Sequence, residues 1–402
     1  MFETDANTPA REINMRVERL QAALRDQRLD GALILQPVDL FYFSGTIQQS
    51  HLYIPADWPA LLMVRKSLER AQAESPLNRI IPLTSPRKIP SLLKESGIRK
   101  PRRLGLELDV LPANLYLMYS QIFEGVELVD ISSQVRLLRA VKSEYELEII
   151  AEAARRADQV AGHVPELLCE GITEIALAGQ LEAFARKLGH QGVVRMRLWD
   201  NELFYGHLMC GPSAAVPSYL ASPTGGSATS PAVAQGAGFN RIRPHQPILV
   251  DYVFAYRGYI ADHTRIFSLG DLPDELMAAH EAMLEIEDRL KAMIRPGVKA
   301  GEVYDRAVAM AAASGWGDYF MGFGPQRIRF VGHGIGLELD EFPFLAQGRE
   351  MPLAEGMVIA LEPKVVIPER GVVGIENSYA VTAYGLEVLT RYPNGLQVIR
   401  TT

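Results

Sequence analysis

The stretch ILVDYVFAYRGYIADHTRIF, residues 248–267, predicts a β-hairpin that carries one aspartate in each strand. Apolar, aromatic and β-branched residues fill both halves, and a Tyr-Arg-Gly sequence marks the turn. A turn centred between Tyr256 and Arg257 places Asp251 directly opposite Asp262, because both lie equally far from that centre. Opposed side chains have Cβ atoms ~4.5–5.5 Å apart, so two carboxylates there repel each other unless a cation lies between them.

A second hairpin is predicted over 357–382, and it carries two glutamates. With its turn centred on Glu369, Glu362 and Glu376 also become neighbours across the strands. A Gly-His-Gly sequence adds the imidazole of His333. Carboxylates with one imidazole suit a pair of divalent ions such as Mn, Fe, Co or Zn, and such sites catalyse hydrolysis. Taken singly, an acid in a strand more often lies on a solvated face, and a lone histidine is more often structural.

The order of predicted elements divides the chain near residue 140. Before that point strands and helices alternate as in an α/β domain. After it, Ser143 and Glu146 form a Ser-x-x-Glu capping box that opens a long helix. We therefore expect two domains, 1–140 and 141–402. The predicted helices cover about 13–30, 173–189, 273–294 and 301–314, and early strands are predicted at 32–35 and 60–64.

Composition excludes several classes of protein. The 402 residues are 48% hydrophobic and 22% charged, which is ordinary for a globular chain and excludes disordered, collagen-like and coiled-coil proteins. The net charge of −7 without a basic block makes nucleic acid and anionic membrane poor partners. The two cysteines provide neither a disulfide framework nor a zinc site. Residues 1–16 lack the apolar core of a signal peptide and no 18-residue apolar run occurs, so we expect a cytoplasmic protein without membrane contact.

In its two acid-bearing hairpins and its Gly-His-Gly sequence, the chain resembles the pita-bread-fold family of methionine aminopeptidase, Xaa-Pro aminopeptidase, prolidase and creatinase. The resemblance implies a creatinase-type α/β domain followed by an α+β pita-bread catalytic domain. In the first domain it rests on Arg16 to Leu20, on LDGALI at 29–34 and on FYFSG at 41–45. In the second it rests on Asp251, on GYIADHTR at 258–265, on GHGIGL at 332–337, and on the Glu362-Pro363 and Ile375-Glu376 pairs.

The resemblance also implies roles for these residues. Asp251 would bind one metal ion, Asp262 and Glu376 would bridge two ions, and His333 and Glu362 would bind the second. A metal-bridged water would attack an amide bond, and Glu362 would take its proton as the general base. Manganese is the first expectation for the two divalent ions, with cobalt, iron and zinc as alternatives. The implied activity is that of an Xaa-Pro aminopeptidase or dipeptidase acting on a small peptide or amide, and the implied assembly is a homodimer.

Three positions depart from the family pattern. Ser218 and Asp340 stand where peptidases of the family carry peptide-handling histidines, and Gly374 stands where they carry an arginine. An alternative is therefore a C–N hydrolase or lyase that acts on a small non-peptide metabolite. A third hypothesis is a non-catalytic binding module, which the complete set of five metal ligands disfavours.

Other residues are candidates for contact with the substrate. Besides Ser218 and Asp340, we expect His207 and Tyr219 to lie near the substrate, with packing as the alternative role of His207. The stretch 218–238 is rich in Gly, Ser, Ala and Pro and has no periodicity, which predicts a long loop. Such a loop inside a compact domain is usually functional or mobile.

Overall fold

The computed structural model describes residues 7–197, 199 and 201–400. Residues 1–6, which contribute to the expectation that the chain lacks a signal peptide, lie outside this part. The chain divides into two compact units, Met1–Arg139 and Ala140–Thr402. In the described part, no helix is both long and apolar enough to cross a bilayer.

The first unit is built on a six-stranded mixed sheet with the strand order β4-β3-β2-β1-β5-β6. Its central strand β1 is fully buried, antiparallel to β2 and parallel to β5. Helix α1 turns its buried apolar side chains, such as Ile13, Leu20 and Leu24, toward the interior. The α/β prediction for this part is confirmed. The elements are α1 (Ala10–Asp26), β1 (Gly31–Ile34), α2 (Pro37–Ser44), β2 (Ser50–Pro55), β3 (Leu61–Val64), α3 (Leu68–Glu74), β4 (Ile80–Pro82), α4 (Ile89–Glu95), β5 (Arg103–Leu106), α5 (Ala113–Ile122), β6 (Glu127–Asp130) and α6 (Ser132–Ala140).

The second unit combines helices with three antiparallel-rich sheets. The elements are α7 (Glu144–Leu167), α8 (Glu174–Lys187), β7 (Gly206–Cys210), β8 (Ile248–Tyr256), β9 (Tyr259–Leu269), α9 (Asp274–Met293), α10 (Ala300–Ala313), β10 (Phe330–Gly334), β11 (Glu341–Ala346), β12 (Val358–Leu361), β13 (Lys364–Ile367), β14 (Gly371–Gly374), β15 (Asn377–Thr382), β16 (Gly385–Val388) and β17 (Gln397–Ile399). Their orders are β17-β9-β8-β7, β11-β10-β12-β15-β16 and β13-β14. The predicted capping box opens α7, since the Ser143 hydroxyl accepts from the Glu146 N–H and the Glu146 carboxylate accepts from the Ser143 N–H.

The register of the β8–β9 hairpin differs from the predicted one. Asp262 lies opposite Val253, and Asp251 lies opposite Thr264, so the prediction that the two aspartates face each other directly was wrong. The turn consists of Arg257 and Gly258, both with positive φ (50° and 91°), which is typical of a two-residue hairpin turn. This moves the turn centre by one residue. The two aspartates stay on the same face as diagonal neighbours, because the shift moves the pairing by two residues.

The register of the second hairpin agrees with the prediction. Lys364 pairs with Gly374 in β13–β14, and Leu361 pairs with Asn377 in β12–β15. Both pairs are symmetric about Glu369, the predicted centre of the turn. Glu362 and Glu376, which follow β12 and precede β15, are therefore brought side by side. The stretch 218–238 lies between β7 and β8 and contains neither a helix nor a named strand, as predicted.

Candidate metal centre

Strands of two sheets converge on one pocket that contains the five predicted ligands. Their carboxylates and imidazole all line it, together with apolar side chains such as Val253 and Leu339. Most of these ligands are nearly inaccessible to solvent: Glu376 is 1% exposed and Asp262 is 4% exposed. Buried charges are costly unless they are paired or bind a cation. The five predicted ligands are Asp251 on β8, Asp262 on β9, His333 on β10, Glu362 after β12 and Glu376 before β15.

One group of three side chains has the geometry of a metal site. Ligand atoms of Asp262, His333 and Glu376 lie within 4.8 Å of one another. His333 Nε2 is 3.9 Å from Glu376 Oε1 and 3.9 Å from Glu362 Oε1. Atoms bonded at ~2.1 Å to one ion lie between about 3 Å and about 4.2 Å apart, depending on the angle at the ion. Asp262 Oδ1 is buried and accepts no hydrogen bond within the described residues. These residues therefore fit a divalent ion.

His333 is oriented so that Nε2 faces this group. Its other ring nitrogen, Nδ1, is 3.2 Å from the carbonyl oxygen of Gly334 and 3.6 Å from Asp340 Oδ1. Histidines that bind metals usually donate their second N–H to a carbonyl or carboxylate in this way, which fixes the tautomer. Asp340, predicted to contact substrate, thus lies beside a predicted metal ligand.

The side chain of Lys364 also enters this cluster of acids, and sequence analysis missed it. Its ammonium nitrogen lies 2.8 Å from Glu362 Oε2, 2.5 Å from Glu376 Oε2 and 3.4 Å from Asp251 Oδ2. The side chain is 1% exposed. Strand alternation was the available signal, because Lys364 stands two residues after Glu362 in an apolar strand.

Gly374 provides the space for this lysine. A Cβ atom at residue 374 would lie 2.5 Å from the Pro363 carbonyl oxygen and 3.1 Å from Lys364 Cγ. The φ angle of Gly374 is 150°, which disfavours other residues. Lys364 therefore supplies a cation from β13. In the family pattern the cation is an arginine at the position of Gly374, on the paired strand β14.

We predict that Gly374→Ala destabilises the protein by about 2–4 kcal/mol, because overpacking and backbone strain add. Chemical denaturation measures the change in the free energy of unfolding. The matched control is Gly395→Ala, because nothing lies within 4 Å of a Cβ atom at that position. Equal stability of the two variants would contradict the close packing of Gly374 against Lys364.

The electrostatics of the pocket reflect four crowded carboxylates. Burial raises the pKa of Asp262 well above its usual range, and the charges of Glu376 and Asp251 raise it further. Burial also raises the pKa of Asp251, although the charge of Lys364 opposes this. Burial lowers the pKa of His333, but nearby carboxylates, Asp340 foremost, outweigh it and leave the pKa above its usual value. A divalent ion would therefore compete with protons for the site, and would bind better as the pH rises.

Residues behind the ligands hold them in place. The Thr264 hydroxyl donates to Glu376 Oε2 at 2.9 Å, and its N–H donates to the Glu376 carbonyl oxygen. The buried Arg265 guanidinium donates to the Glu376 carbonyl oxygen at 2.9 Å and to Asn377 Oδ1 at 2.8 Å. On the next residue of β15, the Ser378 hydroxyl donates to the Asp262 carbonyl oxygen at 2.7 Å. These contacts tie β9 to the segment that carries Glu376.

We expect Thr264→Val to weaken the binding of divalent metal by about 10–100-fold, because it removes the hydroxyl that orients Glu376. Titration of metal-stripped protein with Mn²⁺ measures the change. Thr264→Ser keeps the hydroxyl and should bind Mn²⁺ nearly as the unmodified chain does. If valine and serine variants bind equally well, the hydroxyl does not orient Glu376.

The structure places two of the four predicted substrate residues in the lining of the pocket. His207 lies opposite Asp251 in the β7–β8 pair, with Nδ1 3.1 Å from Thr224 Oγ1 and Nε2 3.0 Å from Gln235 Oε1. Asp340 is the second. Ser218 and Tyr219 are not among the described residues that line the pocket. The Ser218 hydroxyl instead donates to the Ala234 carbonyl oxygen, and Tyr219 is 59% exposed. The residues that follow them, 220–222, line the pocket instead.

Comparison with known proteins agrees with the fold. The sequence profile of metallopeptidase family M24 matches residues 148–383, and that of the creatinase/prolidase N-terminal domain matches residues 16–141. The Xaa-Pro dipeptidase of Pyrococcus furiosus is 27% identical over 94% of this chain and 97% of its own. An uncharacterised peptidase of Bacillus subtilis is 28% identical over 96% of this chain and all of its own.

The solved structures give the same result. The Xaa-Pro dipeptidase from Bacillus anthracis superposes with a TM-score of 0.82 at 26% identity, covering 96% of this chain and 99% of its own. The prolidase from Pyrococcus horikoshii superposes with a TM-score of 0.80 at 25% identity, covering 95% and 99%. The two-domain architecture, with a creatinase-type domain followed by a pita-bread domain, is therefore confirmed. Because the family profile covers more than half of the sequence, the chain belongs to metallopeptidase family M24 and is a metal-dependent hydrolase.

Proposed function

We propose that the chain hydrolyses the amide bond of a small Xaa-Pro peptide, as an Xaa-Pro dipeptidase or aminopeptidase. The observation that carries the proposal is the buried group of Asp262, His333 and Glu376, in which Asp262 Oδ1 has no hydrogen-bond donor among the described residues. The full-length similarity to named Xaa-Pro dipeptidases supports the substrate class.

In the proposed hydrolysis, the metal and the residues of the chain have different roles. A bound divalent ion lowers the pKa of water and polarises an amide carbonyl. Glu362 is proposed as the general base, with one oxygen facing His333 and the other accepting a hydrogen bond from the Lys364 ammonium at 2.8 Å. His207, fixed by Thr224 and Gln235, is proposed to orient the substrate from the β7 side of the pocket.

The finer features of the site are proposals as well. Manganese is the proposed metal, with cobalt, iron and zinc as alternatives, because oxygen ligands outnumber the single imidazole. The family resemblance implies two ions. A cytoplasmic homodimer without nucleic-acid or membrane partners is also proposed, and sedimentation of a monomer with full activity would contradict the dimer.

The experiment is hydrolysis of a panel of Xaa-Pro dipeptides and tripeptides by protein loaded with Mn²⁺ or Co²⁺, with Asp262→Asn as the blank. We expect cleavage that depends on Asp262. The absence of cleavage by folded, metal-loaded protein would contradict the proposed substrate class.

A second candidate is C–N cleavage, by hydrolysis or elimination, in a small non-peptide metabolite. It is favoured by the occupied hydroxyl of Ser218, which donates to Ala234, and by Asp340, whose carboxylate lies 3.6 Å from His333. Neither group offers the imidazole that peptidases of the family place there. If this candidate is right, the double variant Ser218→His with Asp340→His gains peptidase activity that the unmodified chain lacks. Cleavage of the Xaa-Pro panel by the unmodified chain would contradict it.

A further inference from the structure

We propose that the ammonium group of Lys364 replaces one of the two metal ions, so that this site binds a single divalent ion. The inference concerns the site of the proposed function and rests on that function only for the presence of the first ion. The four carboxylates of the site are here called the cage; they belong to Asp251, Asp262, Glu362 and Glu376. Lys364 donates to all of them except Asp262.

The two glutamates divide their oxygens between two cation positions. Oε1 of Glu362 and Oε1 of Glu376 both lie 3.9 Å from His333 Nε2. Oε2 of each glutamate instead accepts a hydrogen bond from the Lys364 ammonium. The cage thus has an imidazole side, which offers ligand atoms for one ion, and an ammonium side, where the lysine already pairs with the carboxylates.

The two oxygens of Glu376 cannot each bind a different ion, because the lone pairs of one of them are already used. Its Oε2 atom accepts from the Thr264 hydroxyl at 2.9 Å and from Lys364 Nζ at 2.5 Å. A carboxylate oxygen offers two lone pairs, and both are used by these donors. Only Oε1 remains to bind a metal, and it faces His333.

A second ion would also meet a like charge. If it were bonded at ~2.1 Å to Glu376 Oε2, it would lie within about 4.6 Å of Lys364 Nζ, because that oxygen is 2.5 Å from Nζ. Like charges at this distance repel strongly in a buried site. One divalent ion and one ammonium against four carboxylates leave a net charge of −1, the same as two ions with a hydroxide.

The lysine is held in place by its strand. Backbone pairing with Gly374 fixes residue 364, and its carbonyl oxygen accepts the Met321 N–H at 2.9 Å. The absence of a side chain at Gly374 leaves room for the lysine stem, as the 3.1 Å approach of a Cβ atom to Cγ shows. Withdrawal of the ammonium to admit a second ion would break all three of its carboxylate contacts.

The test counts ions in the full chain. Metal-stripped protein is loaded with excess Mn²⁺, desalted and measured by elemental analysis, and its Mn²⁺ electron paramagnetic resonance spectrum is recorded. We expect one ion per chain and the six-line spectrum of an isolated Mn²⁺. For Lys364→Ala we expect two ions per chain and an exchange-coupled spectrum, because space and charge both become available.

Two controls separate charge from general damage. Lys364→Arg keeps the positive charge and should retain one ion. Lys142→Ala removes another buried lysine, whose ammonium nitrogen lies 3.1 Å from a carboxylate oxygen of Glu341. Neither residue belongs to the described lining of the pocket, so this variant should also retain one ion. If Lys364→Ala does not fold, the ion count and the spectrum of the unmodified chain still test the inference.

The outcomes are distinct. Two coupled ions in the unmodified chain would overturn this inference and leave the proposed function intact. One ion in folded Lys364→Ala would overturn it too. No bound ion in the unmodified chain would overturn both the inference and the proposed function.

Discussion

Asp262→Asn is expected to remove metal binding and, with it, hydrolytic activity. The aspartate supplies a ligand atom to the group with His333 and Glu376, and its Oδ1 atom has no hydrogen-bond donor in the described structure. Loss of a contact that only orients a ligand costs up to ~10²-fold in metal affinity, so loss of a ligand itself should cost at least that much. Calorimetric titration with Mn²⁺ and turnover of an Xaa-Pro peptide measure the two effects.

The matched control for this variant is Asp158→Asn. Asp158 is a carboxylate of the same unit outside the pocket, where it accepts the backbone N–H groups of Arg391 and Tyr392, and asparagine can accept them too. Its metal affinity should therefore be unchanged. If Asp262→Asn bound Mn²⁺ as tightly as the control does, Asp262 would not be a metal ligand.

Lys364→Met is expected to destabilise the metal-free protein strongly. It removes the ammonium from between three carboxylates that are at most 14% exposed, which are then left uncompensated. Breaking a buried ion pair by removing one partner costs about 3–5 kcal/mol. For a unit of this size that corresponds to a decrease in Tm of roughly 10 °C. Calorimetry in the presence of a chelator measures it.

Divalent metal should restore most of this loss, since an added cation also compensates the carboxylates. Lys142→Met is the matched control, because it removes a buried ammonium that pairs with Glu341 outside the cage. Its loss of stability should not be recovered by Mn²⁺. Equal recovery in both variants, or none in either, would contradict the role of Lys364 as the cation of the cage.

The two hairpins show how far residue order alone predicts structure. In the second hairpin the turn is symmetric about Glu369, so the neighbouring positions of Glu362 and Glu376 follow directly. In the first, Arg257 and Gly258 form the whole turn with positive φ angles, and an arginine is not the residue that usually marks such a conformation. The predicted pairing of Asp251 with Asp262 was therefore wrong, although both remain on the same face.

Lys364 and the loop residues show what the motifs do not reveal. The lysine follows the Glu362-Pro363 pair in an apolar strand, and only its alternation with Glu362 and its pairing with Gly374 place it among the acids. For Ser218 and Tyr219 the sequence offers no periodicity, so the directions of their side chains depend on tertiary contacts. The structure brings the neighbouring residues 220–222 to the pocket instead, and the substrate role of Ser218 and Tyr219 stays a prediction.

We propose that a divalent metal in this pocket drives hydrolysis of a small peptide. The most direct measurement is the release of proline from a mixture of Xaa-Pro dipeptides by metal-stripped protein, before and after the addition of Mn²⁺. We expect no release before Mn²⁺ is added and sustained release afterwards. Release at the same rate in chelator, or no release from folded protein with Mn²⁺ bound, would contradict it.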